Sequence, residues 1–183
     1  MIEWVVFGGV LLALLYAIWT YNALIAQRNR VRNAWAQIDV QLHRRHDLIP
    51  NLVESVKGYM SHERGVIDSI TNARQQAIAA GSNVAARASA ENALGRSLQS
   101  LYAIVEAIPQ LRASENMSQL QEELSSTENR IAFARQHYND SVMDYNTAIA
   151  SVPANMFAAA FAFRPEISFA ADEADRQPVT VKF

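Results

Sequence analysis

The residues with the greatest chemical potential in this chain are its four histidines and a small run of carboxylates. His43 and His46 stand three apart with Asp47 beside them, so on a helix both rings face one way, as the first half of a metal site would require. Completing such a site takes ligands from a facing helix, of the Glu-x-x-His kind found in carboxylate-bridged bundles. No Glu-x-x-His occurs here, and Arg44 and Arg45 between the two histidines repel a cation. The expected setting of His43 and His46 is therefore a solvated polar face, and His62-Glu63 is read the same way. Glu122, Glu123 and Glu128 fall opposite an apolar stripe, where solubility and helical pairing with Arg130 and Arg135 account for them. No serine sits in a nucleophile elbow, no glycine-rich loop precedes Lys-Ser or Lys-Thr, and with no cysteine there is no thiolate chemistry. The expectation is a protein that is not an enzyme, with no catalytic, cofactor-binding or metal-binding residue.

Composition points away from nucleic acid as well. Sixteen Lys+Arg against 18 Asp+Glu in 183 residues leave a formal net charge of −2, whereas a general nucleic-acid binder carries a basic excess. Six glycines and five prolines leave few sites for turns, which favours long helices over many short strands.

The first element such a chain must build is visible as a gap in its charges. None occurs between Glu3 and Arg28, and Trp4–Trp19 is unbroken apolar sequence. Trp4–Ala26 as a helix reaches about 34 Å, enough for a hydrocarbon core of about 30 Å. Trp4 at one end, and Trp19 and Tyr21 toward the other, suit the headgroup regions. A cleaved signal peptide would open with a basic segment, and the first ten residues hold no Lys or Arg. A retained transmembrane anchor over residues 1–27 is expected, with Arg28, Arg30 and Arg32 at its inner membrane boundary. These arginines, with Arg44 and Arg45, place the N-terminus outside and the rest in the cytoplasm by the positive-inside rule. The expected location is the bacterial inner membrane, crossed once.

Beyond the anchor, apolar spacing is helical. Leu24, Val31, Trp35, Ile38 and Leu42 step by seven, four, three and four, so the anchor is expected to continue as one helix. Pro50 either opens a second helix at its first turn or kinks a continuous one. The second helix carries Leu52, Val53, Val56, Met60, Ile67, Ile70 and Ala77 and meets a turn at residues 79–83. A third runs from about Val84 to Ile108. A fourth carries Met117, Leu120, Leu124, Thr127, Ile131, Ala134, Tyr138, Tyr145, Ile149 and Val152, with Ser114 at its N-cap and Pro153 at its end. The fold class expected is all-α, an N-terminal transmembrane helix continuing into an antiparallel bundle of about four long helices. The domains are then the anchor, a cytoplasmic bundle over residues 28–153, and an aromatic tail over 154–183 that packs on bundle or membrane before a loose acidic end. Asparagines beside the apolar stripes, and Tyr-Asn pairs at 21–22, 138–139 and 145–146, are candidates for fixing helix register.

At this level of detail the sequence resembles the LemA family. The resemblance is carried by YNALIAQRNRVRNAWAQIDVQLHRRHDLIPNLVESVKGYMSHE (21–63), by IPQLRASENMSQLQEELSSTENRIAFARQHYNDSVMDYNTAIASVP (108–153) and by FAFRPEISF (161–169). Two departures stand out: Val152-Pro153 where a Phe-Pro is common, and Phe161-Ala162-Phe163 where the pattern is aromatic-Gly-aromatic. The resemblance implies one N-terminal transmembrane helix, an outward N-terminus and a long-helix cytoplasmic domain, and it brings no activity, cofactor or catalytic residue. It also implies company with a membrane zinc metalloprotease of the HtpX type or with TPM-domain membrane proteins, and, for one member, participation in magnetosome membrane formation. Two roles follow as expectations. One is a scaffold that forms a homo-oligomer on the lipid bilayer and organises the membrane. The other is an adaptor that docks a membrane protease or another envelope-stress partner. Trp35, Phe157, Phe161 and Phe163 are the expected oligomer or partner contacts.

Overall fold

A computed structural model describes residues 1–60 and 63–169, the side chain of Arg112 excepted. His62 and the acidic end at Asp172, Glu173 and Asp175 lie outside the described residues. The described chain is all-α: α1 (Ile2–Lys57), α2 (Arg64–Ala79), α3 (Val84–Ala107), α4 (Pro109–Arg112), α5 (Glu115–Ala150) and α6 (Ala154–Ala160).

Helix α1 carries the charge-free run and then the heptad stripe as one element of 56 residues, with Pro50 inside it. Of the two alternatives left open at Pro50, the continuous helix is the one observed, and the chain leaves α1 only after Lys57. Residues assigned to one second helix are divided accordingly: Leu52, Val53 and Val56 finish α1, while Ile67, Ile70 and Ala77 belong to α2. The next turn falls where Gly and Asn place it. Gly81 adopts φ +59°, a conformation that costs glycine nothing, and the Asn83 side chain caps α3 by accepting from the Ala86 N–H at 3.0 Å. Pro109 opens α4 at its first turn. At the start of α5 the Met117 N–H makes a long contact of 3.5 Å to Ser114 Oγ, the expected N-cap.

The chain divides into two compact units, both built on parts of the same two long helices. Unit 1 comprises Met1–Ile38 and Ala134–Ser168; unit 2 comprises Asp39–Phe133 with Phe169–Phe183, of which Phe169 is described. In unit 2 the core gathers Ile49, Leu52 and Val56 of α1, Ile70 and Ala77 of α2, Leu94, Leu98, Leu101 and Val105 of α3, and Met117 and Leu124 of α5. In unit 1 the α1 stripe buries Leu24, Val31 and Ile38, and the α5 stripe buries Tyr138, Val142 and Tyr145. The apolar period therefore reports the buried faces, with one exception. Val152 lies beyond the end of α5 and is 81% exposed.

Among the described helices, α1 is long and apolar enough to cross a membrane, and no residue of its most apolar stretch is buried by the described chain. Val5, Phe7, Leu11, Leu12, Leu14, Leu15 and Ile18 all stand exposed there.

Candidate functional site

Two constellations of polar and aromatic side chains stand out, one in each unit. In unit 2 the apolar stripe of α1 is interrupted by a charge between Leu42 and Ile49. Arg45 occupies the slot seven after Ile38, and it is only 2% exposed. A guanidinium in that position is stable only if carboxylates come to it. Glu91 of α3, also 2% exposed, takes its Nη2 in a short charge-assisted bond, and Glu128 of α5 accepts from Nη1 at 2.8 Å. Arg87, one turn before Glu91 on α3, donates through Nη2 to Asp39 at 3.0 Å and through Nε to Glu91 Oε1 at 3.3 Å. His46 Nε2 lies 3.0 Å from the same Glu91 oxygen, an ion-pair distance without hydrogen-bond alignment. Arg74 of α2 reaches the His46 carbonyl at 2.8 Å.

The electrostatics follow from this geometry. Burial alone would raise the Glu91 carboxyl, but His46 and Arg45 outweigh it and hold Glu91 below the usual carboxylate range. Burial works to lower Arg45, and Glu128 and Glu91 overcome it, so its guanidinium is held charged more firmly than in water. Tyr102 on α3, pushed up to about 12 by burial and by Glu128, remains a neutral phenol beside the cluster. Three guanidiniums and three carboxylates thus join α1, α2, α3 and α5, and the arrangement is one of cross-bracing.

This corrects the expectation for the histidine segment. Arg45 and His46 form a buried ionic centre, whereas His43 stays exposed beside Asp39 at 3.6 Å. Glu128 likewise serves Arg45 across the bundle. The signal was present in spacing: Glu91 and Arg87 precede Leu94 on the α3 stripe by three and seven, as Arg45 follows Ile38 by seven. Among the described residues, no three His, Asp or Glu side chains gather as metal ligands.

The second constellation, in unit 1, is aromatic. Past Pro153 the chain forms α6 and then an extended strap through Phe163 to Ser168. The Tyr-Asn pairs hold it. Tyr138 donates its hydroxyl to the Ile167 carbonyl at 2.8 Å, and Asn146 exchanges two 2.9 Å hydrogen bonds with the Glu166 backbone. Burial and Glu166 push the Tyr138 phenol up to about 12. Phe163 packs edge-on to Tyr21 at 5.8 Å with the Arg28 guanidinium 5.3 Å over its ring. Phe161 meets Tyr21 at 5.0 Å, and Phe157 meets Tyr16 at 6.1 Å.

The sequence-derived contact residues fall here as follows. Phe163 is 8% exposed, Phe157 half-buried and Phe161 56% exposed. Trp35 packs on Tyr138 at 5.4 Å, in the same unit. Trp4 and Trp19 are exposed on α1, Trp19 with its ring 6.0 Å from that of Tyr16. Arg28 is half-buried against Phe163, while Arg30 and Arg32 point to the exterior.

Set against known proteins, the chain matches the model of the LemA family over residues 34–183. It is also similar to the "Magnetosome protein MamQ" of Magnetospirillum gryphiswaldense, with 23% identity over 158 residues, covering 73% of this chain and 58% of that protein. The chain thus spans a little over half the length of this curated relative.

Proposed function

Because the chain belongs to the LemA family, we propose that it is a membrane-anchored, non-enzymatic scaffold that self-associates through its helical domain and organises or shapes the inner membrane. The observation that carries this reading is the distribution of exposed apolar surface. The first stretch of α1 exposes a continuous sleeve of large apolar side chains, which lipid satisfies. Farther along the chain, Val40 of α1 and Phe133 of α5, both in unit 2, remain 62% and 73% exposed. Large apolar groups exposed outside the anchor are available to a second copy of the same chain. The excess of Arg28, Arg30, Arg32, Arg44 and Arg45 after the sleeve supports a cytoplasmic setting for the helical domain. The cross-braced ionic centre supports a rigid building block, because its charges are spent on one another.

The test is the mass of the full-length protein by light scattering, in mild detergent and in lipid nanodiscs. A multiple of the 20.4 kDa chain is expected in both, reduced toward one chain by Phe133→Asp. A single chain in both media overturns the scaffold.

A further inference from the structure

We propose that α6 and its flanks form a second membrane contact, a short wedge that lies in the headgroup region of the leaflet through which the anchor leaves. The proposal rests on the reading of α1 as a membrane anchor and adds to it a surface that α1 does not contain.

Three observations within unit 1 converge. The first is charge. No charged side chain occurs between Asp144 and Arg164, so the end of α5, the turn, α6 and Phe163 form a second charge-free stretch, matching that between Glu3 and Arg28. The second is register. The two stretches run side by side and end together: Phe157 meets Tyr16, Phe161 meets Tyr21, and Phe163 receives Arg28, the first basic residue after the anchor. Arg164 follows immediately on the other chain segment. Every side chain of this pairing on the apolar side of Arg28 is therefore uncharged, and Tyr16 lies about 18 Å from Arg28 along the helix axis. The third is exposure. Phe157 and Phe163 face α1, while Val152, Met156 and Phe161 stand 81%, 71% and 56% exposed, Phe161 even with its ring against Tyr21.

A cluster of large apolar side chains beside a membrane-crossing helix, at the level of its aromatic belt, meets lipid. The short length of α6 sets the depth. A helix of seven residues leaves most of its terminal N–H and C=O groups without intrahelical partners, and those groups need water or headgroups. Interfacial helices bury their apolar face by about 5–10 Å, which is the depth available between Tyr16 and Tyr21 for a boundary near Asn22. The occupant is thus the upper acyl chain and glycerol region of one leaflet. A wedge inserted on one side only expands that leaflet, which gives a membrane-shaping scaffold a direct lever on curvature.

The test uses the absence of cysteine from the chain. Full-length Met156→Cys, Phe161→Cys, Leu12→Cys and Phe133→Cys are each labelled with an environment-sensitive fluorophore. They are then reconstituted into vesicles of phosphatidylcholine and phosphatidylglycerol carrying spin-labelled quenchers at shallow or deep positions. Thermal unfolding of each variant is compared with the parent to show that the fold is kept. The expected result is loss of emission at 156 and 161 with the shallow quencher, loss at 12 with the deep one, and none at 133. Loss at 12 without loss at 156 and 161 overturns the wedge and leaves the anchor standing. Labels at 156 and 161 shielded from both lipid quencher and aqueous iodide identify a second copy as the covering surface, and also overturn it. No loss at 12 at either depth removes the anchor, and the wedge with it.

Discussion

Arg74 Nε donates a 2.8 Å hydrogen bond to the carbonyl of His46, the very carbonyl that lies one turn before Pro50. A proline inside a helix cannot supply the N–H that this carbonyl would accept, and its ring crowds the same oxygen. Arg74 replaces the missing donor from α2, so α1 passes through Pro50 intact. Removing it leaves a part-buried acceptor without its charged donor, and Arg74→Met is expected to cost about 1.5–3 kcal/mol. In a Pro50→Ala background the helix regains its own N–H, and the same substitution should cost about 1 kcal/mol or less. Denaturant unfolding of the four proteins in this cycle measures the difference, and equal costs in the two backgrounds would show that Arg74 acts elsewhere.

The Arg45–Glu91 pair carries a second prediction. Glu91→Gln strips a buried guanidinium of its closest counter-charge and is expected to destabilise the fold by about 3–5 kcal/mol. Glu128 is half open to solvent, and Glu128→Gln should cost about 1 kcal/mol or less. Replacing both members, with Arg45→Met and Glu91→Leu, should recover most of the loss, because no uncompensated charge remains. Midpoints of chemical unfolding order the three variants.

The shifted groups set the limits of stability in pH. Glu91 is held low, so its contribution is present above the unfolded carboxylate value of about 4.3 and is lost as pH falls through its folded value. Tyr102 and Tyr138 are raised to about 12, so their contribution is present below the unfolded phenol value of about 10 and vanishes as pH rises through about 12. Helicity followed against pH should fall at both extremes. Tyr138→Phe and Tyr102→Phe should each remove part of the late phenolate signal in the ultraviolet titration.

Ala162 adopts φ +55° between Phe161 and Phe163, a conformation that costs an L side chain about 1–2 kcal/mol. Ala162→Gly should stabilise the strap by about 0.5–1 kcal/mol, after the greater entropy of glycine in the unfolded chain is counted. Asn146→Ala acts in the opposite sense. It removes both hydrogen bonds to the Glu166 backbone and should cost about 1–3 kcal/mol. Hydrogen exchange at the Glu166 amide reads both: slower in Ala162→Gly, faster in Asn146→Ala.

The helices were legible because each buries a stripe, and burial imposes an apolar period that needs no knowledge of the partner. Leu94, Leu98, Leu101 and Val105 illustrate this, as do Ile131, Tyr138 and Tyr145. Pro50 left two readings open because its local effect on a helix is unfavourable, while the compensation comes from Arg74, 24 residues away in sequence. Arg45 and His46 misled for a related reason. A charged residue reads as solvated unless its counter-charges are known, and Glu91 and Glu128 lie on other helices. The strap was half legible: the repeated Tyr-Asn pairs marked Tyr138 and Asn146, but their bonds run to backbone groups, which carry no sequence signal. The departure at Ala162 from an aromatic-Gly-aromatic pattern did mark the one residue other than glycine with positive φ among those described.

Because Arg45 finds its counter-charge at a single place on α3, the ionic centre also works as a gauge of alignment. Sliding α3 by one turn in one direction would bring Arg87 opposite Arg45, guanidinium against guanidinium; sliding it the other way would bring Gly95, with no side chain at all. Leucine stripes tolerate such slips, since one leucine resembles the next, whereas a desolvated charge does not. The alignment of α3 on α1 therefore has one address, and a mis-threaded bundle carries a buried charge without its partner.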